Sequence, residues 1–492
     1  LALAVFLASL DQTIVSTALP AIASEFNGLN MIAWVATSYM LTSTAFQPLY
    51  GRFSDIFGRK NMMLFATIVF IGGSILCGAA QSMTMLIIFR ALAGLGGGGL
   101  MSMVQIIVSD VVSLRDRGKY QGIIGAVFAI SSVIGPLLGG VFTDHASWRW
   151  AFYINIPIGA LTVVAVIFCL RLPAPEGSLI EKLKQVDYLG VLLLLGGVVC
   201  VLLSTNWGGN EYAWSDPLVI SLYVVGGVLI IAFILVEVKV AKQPIISPHL
   251  FRHRNVSLAF AANFFIGIGF FGVIFYMPMW FQVVRGVSAT NSGIKLLPMV
   301  LGIVVFSMGS GWGVSVTGAY RPFIIIGCAI MTIGIGMLSI LKETSPEAME
   351  IGFLLLAGAG IGLTMQTTLL AAQAAVPHKD IAATTACCSF FRTVGGVIGV
   401  AICGALFNNL VSTNLHANIP GITDEMVKAI QNSIYMIQNL EPTMRAQAIH
   451  SFVQSLNQIF IVCIPMTGVA FLLSLGMEHK KLRKGAKAPI VE

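Results

Sequence analysis

The sequence is short of charge. Only 10% of its 492 residues are Asp, Glu, Lys or Arg, against 57% hydrophobic, and its mean hydropathy is +0.89. Soluble domains carry roughly a quarter charged residues, so water is not the main solvent of this chain. Histidine is missing from the apolar runs. His145, His249, His253, His378, His416, His450 and His479 all read as loop residues, which argues against a buried histidine metal site or proton relay. The eight cysteines lie in apolar runs without CxxC spacing, so neither a disulfide framework nor a zinc site is indicated and no metal is expected. A GxxxxGK[ST] phosphate loop is also lacking, as is any nucleophile with a base or any cofactor motif, so no enzyme is indicated. The net charge of +7 is spread in short clusters, with no basic domain for nucleic acid.

What is present is a series of long apolar runs rich in Gly, Leu, Ile and Met. A bilayer core about 30 Å thick needs about 20 apolar residues per spanning helix. Only helices satisfy the backbone in such runs, because a barrel would show alternating segments of about ten residues. We read about fourteen spans, beginning with 1 to 21 and ending with 456 to 477. The loops on one side hold about 20 basic residues and those on the other about six, a bias that places the richer side and both termini in the cytoplasm. The chain opens at Leu1 inside an apolar run with no initiating Met, so an N-terminal tail and part of the first span are expected to be missing, and no cleavable signal is read there.

The polar breaks divide the chain into an N-terminal bundle of six helices (1 to 171) and a linker with two extra spans (172 to 238). A second six-helix bundle (239 to 478) and a basic tail (479 to 492) follow. Segment 409 to 455 is a long loop on the less basic side, with helical signals at Asp424 and Pro442. It reads equally as a cap or as a solvated tether. A weak repeat relates the halves: Gly311, Ser315 and Gly318 occupy the relative places of Gly51, Asp55 and Gly58. Duplicated halves with a pathway between them are a common transporter construction.

Few charges lie within spans. Asp11, in LDQTIVSTALP (10 to 20), has to face a wet cavity, find a cation or hold a proton, because an unpaired charge there costs several kcal/mol. Arg90 lies in FRALAGLGGGGLMS (89 to 102), beside glycines that admit close helix packing. Arg392, in SFFRTVGGVIGVAICG (389 to 404), reads nearer the basic end of its span, where snorkelling is open to it. Gln47 is a further polar candidate for a cavity. Tyr276 and Trp280 read first as an interfacial belt and second as a stacking surface. Gly135, Pro136, Gly139 and Gly140 should bend the fifth span or bring another helix close. In the loop after the second span, Gly51, Asp55, Gly58, Arg59 and Lys60 combine tight backbone with charges that can pair across helix ends.

Together these strings resemble the major facilitator superfamily, and within it the drug:proton antiporter family with fourteen spans. KYQG (119 to 122) and WRWAFYINIPIG (148 to 159) join the match, which covers nearly the whole chain. The resemblance implies an all-α polytopic membrane fold of two six-helix bundles plus two linker helices. It implies proton coupling through Asp11 and Arg90, a conformational latch at Gly51 to Lys60, and an exporter's antiporter motif at Gly135 to Gly140. The implied function is proton-driven efflux of small organic molecules such as drugs or toxins, as in fungal members, from a monomer that needs a proton gradient and no cofactor. Vacuolar import of basic amino acids by proton antiport is the alternative, and a transport-inactive sensor is the second; the membrane is then plasma or vacuolar.

Overall fold

The computed structural model describes residues 1–26, 31–113, 116–172, 178–209, 212–241, 244–432, 435–438 and 440–479, apart from some side chains within helices. Residues 173–177 of the linker and the tail from 480 onward lie outside the described residues. The chain is helical because each apolar run has only its own backbone to bond with. The long helices are α1 (Ala2–Glu25), α2 (Ile32–Phe57), α3 (Arg59–Gly78), α4 (Met83–Val111) and α5 (Arg117–His145). Then come α6 (Trp150–Cys169), α7 (Tyr188–Trp207), α8 (Pro217–Lys239), α9 (Arg254–Arg285) and α10 (Leu297–Thr317). The last are α11 (Arg321–Leu338), α12 (Glu347–Gln373), α13 (Ile381–Asn418) and α14 (Pro442–Leu475).

Among the described residues, 11 helices are long and apolar enough to cross a membrane. Helices α1, α2 and α5 are not among these, though they have 24, 26 and 29 residues. The first bundle, α1 to α6, has its own apolar clusters, such as Leu7, Met63 and Phe70 and Ile14, Leu86 and Phe152. The second, α9 to α14, centres on Trp280, Phe281, Met331 and Phe460, and Leu194 of α7 and Phe233 of α8 join it. Helices α7 and α8 pack on each other, and α7 lies against both α2 of the first bundle, where Trp207 meets Trp34, and α13 of the second. An apolar cavity of about 530 Å³, lined by Val198, Phe233, Phe391 and Val394 among others, opens between them and α13.

Two helices outrun their expected spans. Helix α13 has 38 residues and α14 has 34, about 57 and 51 Å at 1.5 Å per residue, well beyond a hydrocarbon core of about 30 Å. The segment expected as a loop from 409 to 455 is thus largely helix, with one short helix starting at Asp424 and α14 starting at Pro442. It is packed, not solvated: Val427 and Ile430 are buried, and Asn418 of α13 donates to Ser451 of α14 at 3.0 Å. Three histidines sit on α-helices and not in loops. His145 ends α5, His416 of α13 meets Asp424 at 3.2 Å, and His450 of α14 meets Glu343 at 2.8 Å.

The repeat is visible in the backbone. Gly58 ends α2 at φ +93° and Gly318 ends α10 at φ +72°, a region that glycine enters without steric cost. Each repeat also places a glycine where the two bundles touch. A Cβ on Gly51 would come within 2.9 Å of the Ala386 Cβ on α13, and one on Gly311 of α10 would run into the backbone of Gly118 on α5.

Candidate functional site

Asp11 is fully buried in α1 and Arg90 is 2% exposed in α4. The Arg90 Nη1 donates to Asp11 Oδ2 at 2.6 Å, its Nε donates to the Val35 carbonyl at 3.1 Å, and its guanidinium lies 4.3 Å from the centre of the Tyr39 ring. The other carboxylate oxygen, Oδ1, accepts from Asn155 Nδ2 at 2.9 Å. Two charges in an apolar interior persist only when paired and hydrogen-bonded, and here both conditions hold. The glycine run of α4 makes the approach possible. Gly94 and Gly97 lie against Tyr39, Gly98 against Ser43, and Gly96 against Phe70 of α3, so α4 is wedged between two neighbours that side chains would push away.

The fifth helix is held to the same place. A Cβ on Gly135 would strike the Thr13 side chain and one on Gly139 would strike Thr17 and the Ile14 carbonyl, so these glycines seat α5 on α1 next to Asp11. Thr13 also donates to the Ser131 carbonyl at 3.2 Å. Gly140 has nothing within 4 Å of its would-be Cβ. The helix runs on through position 136, and the Pro136 side chain lies outside the described residues.

At the end bearing Arg52, Arg59 and Arg117, which we call the basic end, the loop residues form a compact charge cluster. Arg59 bonds Asp55 at 2.6 Å and Asp110 of α4 at 2.7 Å. Lys60 donates to the Ile167 carbonyl at 2.7 Å, which ties α3 to α6 within the first bundle. Further bonds join the bundles: Arg117 to Gln373 of α12 at 2.7 Å, Ser389 of α13 to Gln105 of α4 at 3.0 Å, and Ser315 of α10 to Asp116 at 3.1 Å. Asp116 is held below its ordinary carboxyl range, first by the Ser113 hydroxyl and then by Ser315 and Lys119.

The remaining candidates separate. Trp280 is fully buried and Tyr276 is 6% exposed, both inside the second bundle's core, and the Tyr276 hydroxyl donates to the Val400 carbonyl at 3.1 Å. They form neither a belt nor an open stacking surface, because α9 turns that face toward α13 and α14. Gln47 of α2 is 8% exposed with its Oε1 unpartnered, one turn from the inter-bundle contact at Gly51. Arg392 stands eleven residues, about 16 Å, into α13, which begins at Ile381.

Sequence reasoning missed several partners. Asn155 stands inside the quoted string 148 to 159, where a lone amide in an apolar run was the available signal. Asp110, in the last turn of α4, was the carboxylate that Arg59 needed. Glu237 of α8, 5% exposed, was not singled out either; its two oxygens accept the backbone amides of Ile245 and Ile246 at 3.1 and 3.2 Å, a structural cap on the chain leaving α8.

Two helical bundles, a charge pair buried inside the first and a charged clasp at one end are the architecture of a multi-pass membrane transporter. The Major Facilitator Superfamily model matches residues 1–400, and the chain belongs to that family. It is similar to the MFS-type efflux pump MFS1 of Trichophyton rubrum, 36% identical over 492 residues, 99% of this chain and 91% of that protein. It is also similar to the efflux pump aflT of Aspergillus parasiticus, 35% identical over 489 residues, 98% of this chain and 95% of that protein. Among solved structures, a double-tryptophan mutant of XylE shares the fold with a TM-score of 0.60 at 14% identity, over 98% of this chain and 95% of that one.

Proposed function

We propose that this membrane efflux transporter is a proton antiporter, exporting small organic molecules as protons enter through Asp11. The observation that carries the reading is the buried triad of Asp11, Arg90 and Asn155, 2.6 and 2.9 Å apart. Protonating Asp11 removes the charge that holds Arg90 to α1 and leaves the cation stacked on Tyr39. One proton therefore changes how α1, α2 and α4 are tied together. A membrane potential of 100 mV supplies about 2.3 kcal/mol per charge, enough for more than a tenfold substrate ratio.

The same reading makes the basic end cytoplasmic, following the positive-inside bias. The bundles meet at that end, through Gly51 and Ala386 and through Gly118 and Gly311, which supports an arrangement closed toward the cytoplasm. Relatives named efflux pumps support the outward direction. The test is transport by the full-length protein in sealed vesicles, with a panel of aromatic and amphipathic compounds. Accumulation that requires an imposed pH gradient and collapses with a protonophore is the expected result; equal accumulation without the gradient rules out proton drive.

A further inference from the structure

Arg90, Arg59 and Arg117 bond the acceptors given above, and Arg285 at the end of α9 bonds Glu350 of α12 at 2.8 Å. Arg392 differs from them: among the described residues its guanidinium has neither an ion-pair nor a hydrogen-bond partner. A cation at membrane depth without a counter-charge is costly, and such residues face an aqueous path or wait for an anion.

The helix places this side chain on the face toward the first bundle. Ser389, three residues earlier, reaches Gln105 of α4, and residues three apart on a helix share a face. Phe391 and Val394 point elsewhere, into the lateral apolar cavity, at about 100° and 160° from Arg392. On its other flank, the Arg392 carbonyl packs against Gly267 of α9. Arg392 therefore projects between α9 and the first bundle. It stands six residues, about 9 Å, beyond the closing contact at Ala386. Gln47, one turn from Gly51 on α2, brings an unpartnered amide oxygen to the same contact face.

We propose that Arg392 is the recognition point for an anionic group on the exported molecule, so that the favoured cargo is an organic anion such as an aromatic carboxylate or phenolate. The proposal rests on the efflux reading for the word cargo, but the binding chemistry does not depend on proton drive. A planar guanidinium grips a carboxylate with two parallel N–H donors. A bound anion would supply the counter-charge that the described residues do not, and a neutral analogue would leave the cation as it was.

The probes are 2-naphthoate and its methyl ester, which differ in one charge. Binding to purified full-length protein in detergent is measured for both, along with gradient-driven uptake into vesicles. Wild type should bind the carboxylate more tightly than the ester. Arg392→Gln should weaken carboxylate binding about tenfold or more while leaving the ester unchanged, and Arg392→Lys should retain part of the preference. Retained ester binding shows that the variant is folded. Equal losses for both probes, or no wild-type preference for the carboxylate, overturn the proposal. Normal carboxylate preference in binding with uptake indifferent to the pH gradient overturns proton drive alone.

Discussion

The Asp11 carboxylate and the Arg90 guanidinium, 79 positions apart in the chain, meet at 2.6 Å in the interior of the first bundle. Removing one partner of a buried pair strands the other charge, at a cost of about 3–5 kcal/mol, whereas replacing both with apolar groups is often neutral. Arg90→Met should therefore lower the thermal midpoint of the purified protein sharply, and Asp11→Leu combined with Arg90→Met should recover most of the loss. Neither variant should show gradient-driven transport. A double variant as unstable as Arg90→Met would mean that the pair is not the source of the instability.

Asp11→Asn separates charge from shape. It keeps the size of the side chain and an acceptor for Asn155 but cannot take up a proton. Gradient-driven uptake in vesicles should fall to the level seen without a gradient, while binding of a substrate changes by less than about threefold. Retained gradient response in this variant would remove Asp11 from the coupling scheme.

The glycines of α5 are not equivalent. Gly139→Val drives a side chain into Thr17 and the Ile14 carbonyl, while Gly140→Val enters open space. Both substitutions carry similar helix propensity costs, so the difference reads packing. Transport and thermal stability should drop strongly for Gly139→Val and remain near wild type for Gly140→Val.

Closure at the basic end depends on backbone contact between Gly118 and Gly311. Gly311→Leu should wedge α5 from α10 and move the distance distribution between spin labels at positions 119 and 379 to longer values. An unchanged distribution would show that this contact does not control closure.

The bond from Ser315 to Asp116 crosses the same interface. The Asp116 carboxyl is depressed, so the contribution of its charged form is present above the ordinary aspartate range near 4 and is lost only as pH falls through the lower, folded value. Between about pH 5 and about pH 8 the label distances should not move through this group. Asp116→Asn should lengthen them across that whole range.

Much of the site was legible because charge is so rare in this chain. With apolar residues nearly everywhere, Asp11, Arg90 and Arg392 stand out singly, and the glycine strings near 51, 94 and 135 mark where helices approach. Their partners were harder to read. Asn155 and Tyr39 carry no charge, and Asp110 and Gln373 look like ordinary residues at helix ends. Tyr276 and Trp280 misled, since aromatic residues suit a membrane interface and a bundle core equally well, and only the direction of the α9 face distinguishes them.

Hydropathy and charge bias alone determined a polytopic helical membrane protein, and the spacing shared by Gly51, Asp55 and Gly58 with Gly311, Ser315 and Gly318 related its halves. The reason is that the bilayer admits few backbone solutions and each leaves a compositional trace. Which charges pair was decided by tertiary structure. So was the length of α13 and α14 beyond the membrane, and so was the lack of a partner for Arg392 among the described residues. Those outcomes depend on how helices distant in sequence rotate and pack against one another, and glycine contacts and shared faces fix that geometry only once the bundles are assembled.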